Sequence, residues 1–581
     1  MNAATVAGVR VLLVSTYELG HQPLQLAVPA AALASRGHQV RCADLAVDQL
    51  ADDDVDWADA VACSVPMHTA MRLARQVEQA IHRRRPELAL CVYGLYATLG
   101  AAGADLAIAG EYLPELLAWV DTLRAPDLPP SSPAGAPGAV VPSPGFDHCS
   151  PLSLCPDDPQ ASPGPRHALV PSPGFDHGPP LSLCPDDPQA SPGPGHHLAP
   201  QPGFDHGPPL SPAPVFGPHP VLVRLERYQQ PVPDRRLLPS LDRYARLAVD
   251  GTERLAASVE ASRGCAHRCR HCPVPVVYDG RTRLVDVDGL LADVTQLVAA
   301  GVEHVSFGDP DFLNRPHHAR RVVAAVHGAY PQLTFDVTVK VEHILRHRSL
   351  WPSMAEAGCL FVVSAFESAE QAVLDKLAKG HDVADMVEAV RVLRAAGIEP
   401  RPSLMPFTPW STADGIADLF DLVARCDLVG NVDPVQFAIR LLLPPGSLLL
   451  DDPDLAPSLR GYDDEALGWR WQCSDPRLDE LAAQLATIAE QAAGGGWSAV
   501  ESQHRLRTAV AAALGRPQWA QPPPPIASLA SPTHPDLRPR LTEAWFCCAE
   551  PTAEQIRGVG ATRQSCHATT EAPTVLPGRR R

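Results

Sequence analysis

The 581-residue chain carries 48 Lys+Arg against 66 Asp+Glu, a formal net charge of −18. That balance argues against a nucleic-acid backbone as the main partner, because proteins that bind one present a basic face. The length suits two or three domains, each with its own core.

Residues 9–14 (VRVLLV) form a short apolar strand with neither the basic flank nor the cleavage site of a secretory signal. No apolar run in the chain is long enough to span a bilayer. The 15 cysteines are scattered rather than set in a disulfide framework, so a reducing cytoplasm and no membrane partner are expected. After the first strand, residues 24–36 read as a helix stopped by Gly37, 40–45 and 58–65 as strands, and 68–84 as a second helix. Strands at 88–93 and 104–109 complete the alternation. Over residues 1–122 this predicts an α/β domain with a doubly wound parallel sheet, whose ligand loops are 15–22, 64–69 and 93–97.

Residues 123–220 break the pattern. Between positions 126 and 220 fall 28 of the chain's 63 prolines. PGFDH recurs at Pro144, Pro173 and Pro202, a period of 29 residues, and LSLCPDDPQASPGP occurs twice, carrying Cys155 and Cys184. Proline this dense sustains neither helices nor ladders, and apolar residues are too few for a core. The expectation is a disordered or polyproline-like linker.

Residues 221–452 return to alternation. An approach segment, 221–247, leads to strands at 256–262, 304–307, 334–339, 360–365, 399–404 and 435–443, with helices at 284–300, 315–329, 368–378, 383–396 and 413–424 between them. Six β-α units predict a partial parallel barrel with its chemistry at the strand carboxyl ends. Directly after the first strand comes Cys265-x3-Cys269-x2-Cys272. Three thiols so close suit one soft-metal site on one loop. A [4Fe–4S] cube held by three of them keeps one iron open. The alternatives are a zinc knuckle completed by His267 or His271, or three unrelated thiols.

The spacing resembles the radical SAM signature. The resemblance implies a [4Fe–4S] cluster on Cys265, Cys269 and Cys272, with S-adenosylmethionine chelating the open iron and losing a carbon–sulfur bond on reduction. It also implies an external electron donor of the ferredoxin or flavodoxin type and a small-molecule or peptide substrate. In some branches a methyl group passes through cobalamin. His271 stands where the family usually has an aromatic residue beside the adenine. Gly308-Asp309-Pro310-Asp311 matches the segment that meets the methionine amino group. Glu367, after the fourth strand, matches the Glu that contacts the nucleoside, its plainer reading being a salt bridge to Lys340. Lys340 and Ser403 are placed to meet the methionine carboxylate or the substrate. The N-terminal layout resembles a cobalamin-binding domain, but D-x-H-x-x-G is absent; His21 and His68 lie in suitable loops. A non-enzymatic cluster- or zinc-bearing redox scaffold is the competing class.

Helical spacing at Leu481, Leu485, Ile488 and Ala492, and again over 499–514, predicts a helical cap in residues 453–515. The proline-rich tail, 516–581, contains Trp545-Phe546-Cys547-Cys548-Ala549-Glu550-Pro551. This heptad resembles the end of the CUAEP/CCAEP-tail radical SAM proteins, which implies reactive roles for Cys547 and Cys548.

Overall fold

A computed structural model describes residues 8–99, 103–124 and 221–543. The repeats of 125–220, with Cys155 and Cys184, lie outside the described residues, as do Cys547 and Cys548.

The N-terminal strands are β1 (Arg10–Ser15), β2 (Gln39–Asp44), β3 (Ala60–Ser64), β4 (Ala89–Tyr93) and β5 (Leu106–Gly110), joined by β6 (Val221–Arg224). They pair in the order β2-β1-β3-β4-β5-β6, parallel throughout. β6 opens the expected approach segment yet closes this sheet as its far edge, with Val221 opposite Ala107. Helices α1 (Leu24–Ser35) and α4 (Leu113–Thr122) cover one face, and α2 (Asp52–Trp57) and α3 (His68–Arg84) the other. Strand order reverses between β1 and β3, and doubly wound sheets bind ligands at the carboxyl ends around such a point.

Glu78 of α3 is buried, and burial pushes its carboxyl from 4.5 up to about 7. A folded-state value raised above the unfolded one means that the neutral acid favours folding. Stability therefore falls as pH rises from about 4.5 to 7, then levels. Glu78→Gln is expected to abolish that slope and to stabilise the protein by about 3 kcal/mol at pH 8. Urea melts at pH 5 and pH 8 check this, and a difference of the same size at both pH values contradicts it.

The second sheet begins with a hairpin, β7 (Arg246–Val249) and β8 (Thr252–Val259). Its turn is Asp250-Gly251, both at positive φ (49° and 75°), the backbone a two-residue hairpin needs. β9 (Ser262–Gly264) and β10 (Thr282–Leu284) then pair antiparallel to each other. α5 (Val274–Tyr278) lies between them, and α6 (Val287–Ala299) follows. β11 (His304–Phe307), α7 (Pro316–Ala329), β12 (Thr334–Thr338), α8 (Val341–Arg346), α9 (Trp351–Glu356), β13 (Cys359–Glu367), α10 (Gln371–Lys376), α11 (Val383–Ala395), β14 (Glu399–Leu404) and α12 (Ala413–Arg425) continue the alternation. The parallel order is β14-β13-β12-β11-β8, a curled half-barrel, with β7 antiparallel beyond β8.

The sixth strand expected over 435–443 contracts to one parallel bridge, Phe407–Arg440, after a 3-10 turn at Pro434–Phe437. Pro434 presets a helical φ, and Pro444-Pro445 lacks the N–H groups a ladder uses. β15 (Leu459–Asp463) and β16 (Gly468–Trp471) form a hairpin, and α13 (Arg477–Gly495) and α14 (Ala499–Ala513) make the helical cap. β17 (Arg540–Leu541) returns to pair with β7. Trp351, Phe366 and Phe420 lie in the buried core of the half-barrel. Among the described residues, no helix is long and apolar enough to cross a membrane.

Candidate active site

The three cysteines leave the carboxyl end of β8 through β9. Gly264 turns the chain at φ +74°, and a Cβ there would stand 2.3 Å from the Arg281 carbonyl and 2.6 Å from the Tyr278 ring. Only glycine fits so close an approach. Beyond it Cys265 is buried, Cys269 and Cys272 are half-buried, and all three are free thiols. The loop is fastened at both ends. Asn314 Oδ1 accepts from the Ala266 N–H at 3.1 Å and lies 3.7 Å from Cys265 Sγ. Arg270 donates its N–H to the Leu377 carbonyl and pairs with Asp452 at 2.9 Å.

Glu367 ends β13 at a register shift between Ala365 and Glu367 and takes φ +65°, a conformation L-residues rarely adopt. Such strain costs about 1–3 kcal/mol and collects at functional sites. Its carboxylate is buried, and Oε1 meets Lys379 Nζ at 3.1 Å and His271 Nε2 at 3.2 Å. Burial by itself would raise the carboxyl; Lys379 first, then His271, outweigh it and hold it well below the usual range. The salt bridge weighed from sequence is thus made, but to Lys379. Lys340 stands 3.4 Å from Glu342 Oε2 and 3.4 Å from His267 Nδ1.

Asp309 turns to the protein. It accepts from the Ala261 N–H at 2.9 Å and from Ser262 Oγ at 2.5 Å, and burial pushes it up to about 7. Asp311 Oδ1 caps the Leu313 N–H at 3.0 Å, while Oδ2 faces His343 and His267. Gly308 is different: a Cβ there would find only ordinary contacts at 3.7 Å, so packing does not demand glycine. Gly308, Asp309 and Ser403 border a cavity of about 250 Å³ inside the half-barrel, with Ser306, Asp336 and His21 among its other walls. Arg401 and Arg440 are paired with Asp433 at 2.9 Å and Asp479 at 2.7 Å.

The donor set fits a cluster with one open iron: three free thiols within eight residues, beside a cationic Lys379. Zinc fits less well. Among the described residues, the one trio of ligand atoms within 4.8 Å of one another excludes these sulfurs, whereas tetrahedral thiolates on zinc stand roughly 3.8 Å apart. For cobalamin, neither loop imidazole stands free at the carboxyl end of the N-terminal sheet. His68 is buried, 3.4 Å from the Leu467 carbonyl and edge-on to Tyr96. His21 lies on the wall of the half-barrel cavity, where burial drives it down to about 4.

The family model of the radical SAM superfamily matches residues 259–423, from the last residue of β8 into α12. This stretch is a radical SAM domain. It contains the cysteine loop, Gly308, Lys340, Glu367 and Ser403. Radical SAM enzymes need an electron donor and a substrate. The uncharacterized methyltransferase PH0819 of Pyrococcus horikoshii is 22% identical over 228 residues, 39% of this chain and 47% of its own length. The hopanoid C-2 methylase of Rhodopseudomonas palustris is 22% identical over 150 residues, 25% of this chain and 28% of its own. The chain thus spans less than half the length of either relative. The cobalamin-dependent S-adenosylmethionine radical enzyme OxsB, solved with aqua-cobalamin bound, aligns with a TM-score of 0.53 at 12% identity, covering 86% of this chain and 69% of that one. That likeness is one of fold, and it extends beyond the radical SAM domain.

The Glu367–Lys379–His271 arrangement was only partly visible in sequence. Nothing marks Asn314 or His343, because Asn314, at the end of a 3-10 turn, and His343, in α8, meet partners that only the folded barrel brings to them.

Proposed function

We propose that the chain cleaves S-adenosylmethionine reductively at a [4Fe–4S] cluster held by Cys265, Cys269 and Cys272, and uses the product to modify a substrate in the half-barrel cavity. One observation carries the reading: a three-thiol loop at the carboxyl end of β8 lies against a buried, strained carboxylate at the carboxyl end of β13. When bound, the cluster and its sulfonium ligand supply a one-electron cleavage of a carbon–sulfur bond. The chain's own residues do the rest. Lys379 and His271 keep Glu367 ionised through Oε1, which leaves Oε2 for a ligand hydroxyl. Gly308 lets a ligand approach the backbone closely. Lys340 and Ser403 offer a cation and a hydroxyl to a carboxylate or substrate. The electron donor is of the ferredoxin or flavodoxin type, and the setting is cytoplasmic. With SAM and dithionite, cluster-loaded protein should form 5′-deoxyadenosine; an intact cluster that forms none rejects the proposal.

A second reading is methyl transfer assisted by cobalamin: the two relatives, a methyltransferase and a methylase, support the methyl transfer, and the doubly wound N-terminal sheet supports the cobalamin. His21 and His68 are engaged elsewhere, so cobalamin would bind without a histidine ligand from these loops. An absorption spectrum after purification with added cobalamin tests it.

Cys547 and Cys548 are proposed to take part in turnover. The chain that carries them runs on from Glu543, which borders the half-barrel cavity. Cys547→Ser and Cys548→Ser should each slow product formation at least about tenfold, roughly 1.4 kcal/mol in the activation barrier. Turnover at the wild-type rate in both variants removes this role.

A further inference from the structure

Three consecutive parallel strands deliver one more set of donors. His267 lies on the loop that leaves β8 through β9, Asp311 follows β11, and His343 lies in α8 directly after β12. Nε2 of His267, Oδ2 of Asp311 and Nδ1 of His343 all lie within 4.8 Å of one another. Oδ2 is 2.8 Å from the His343 nitrogen and 3.4 Å from the His267 nitrogen. All three atoms are buried, yet none makes a hydrogen bond of acceptable geometry. Asp311 and His343 are themselves more than nine-tenths buried, with side-chain exposures of 2% and 8%.

A polar atom buried without a partner costs about 1–3 kcal/mol. Three that converge on one point without a hydrogen bond of good geometry make the donor set a cation takes. The carboxylate is already oriented, since its other oxygen caps the Leu313 N–H at 3.0 Å. The two imidazole rings lie with centroids 4.6 Å apart and planes tilted by 55°.

We propose that His267, Asp311 and His343 form a mononuclear site for a divalent first-row metal ion. Two imidazoles and one carboxylate on one side of an ion leave its remaining positions open to water or substrate. With the ion on Nε2 of His267, Nδ1 carries the proton, and the Lys340 ammonium, now 3.4 Å from that nitrogen, turns to Glu342, which it already approaches at 3.4 Å. The ion would clip together the exits of β8, β11 and β12 and so fix the cysteine loop against its neighbours. The site stands whether or not the thiols carry a cluster.

The test uses zinc and cobalt(II) as probes on full-length protein whose thiols are already filled by reconstituted cluster. After dialysis the wild type should retain about one zinc or cobalt beside about four irons. His343→Ala and Asp311→Asn should each bind the probe at least tenfold more weakly while keeping the irons. His343→Gln serves if the alanine variant does not fold. Bound cobalt should show only weak visible bands, as nitrogen and oxygen ligands give. A wild type that retains no probe ion, variants that retain it equally, or an intense thiolate-to-cobalt band would each overturn the site.

Discussion

Lys379→Met should destabilise the protein by about 3–5 kcal/mol, the cost of stranding a buried charge without its partner. Lys379 and Glu367 are both almost wholly enclosed, with side-chain exposures of 4% and 9%, so bulk water cannot replace the lost ammonium. His271, half-buried, is the one other group on Oε1 and cannot carry the load unless it is protonated. Adding Glu367→Gln to Lys379→Met should recover much of the loss, because a neutral amide costs far less to bury. Glu367→Gln alone leaves Lys379 enclosed without its anion and should cost a similar amount. Urea denaturation of the three variants without cluster checks the cycle. A Lys379→Met loss below 1 kcal/mol, with no recovery in the double variant, contradicts it.

Arg235→Met should cost about as much, roughly 3–5 kcal/mol. Its guanidinium pairs with Asp293 of α6 at 2.8 and 2.9 Å, donates to the Ser258 carbonyl of β8 at 2.7 Å, and reaches Gln22 Oε1 at 3.2 Å. Both ionic partners are buried, at 6% and 5% exposure. One side chain thus ties the β1–α1 loop to the half-barrel just before the cysteine loop. Arg235→Lys should recover only a small part, since an ammonium cannot span three directions with a rigid fork. The melting temperatures of the two variants check this; equal recovery by lysine would show that charge alone suffices.

The fold was legible where physics is local. Runs such as VRVLLV at 9–14 and HVSF at 304–307 are too short for helices and too apolar for loops, and their alternation with amphipathic helices dictates a parallel sheet. The same rule misled at 435–443, where an apolar run flanked by Pro434 and Pro444-Pro445 yields only one bridge. Val221–Arg224 joined the N-terminal sheet across a long insertion, a pairing no local signal carries. The cysteine loop was legible because its ligands share one short segment. Glu367's partner was not: the bulge at Ala365 turns the backbone into a left-handed conformation, and sequence spacing does not tell Lys379 from Lys340. The pairing of His343 with Asp311 depends on β11 and β12 lying side by side, which only the folded sheet supplies.

The most direct test of the account is the electron paramagnetic resonance spectrum of anaerobic, dithionite-reduced protein, recorded before and after S-adenosylmethionine is added. A cluster on Cys265, Cys269 and Cys272 with one open iron predicts about four irons per chain and a reduced-cluster signal that shifts when the cofactor binds, both lost in Cys269→Ala. A protein that carries zinc in place of iron, or a signal that the cofactor leaves unchanged, contradicts it.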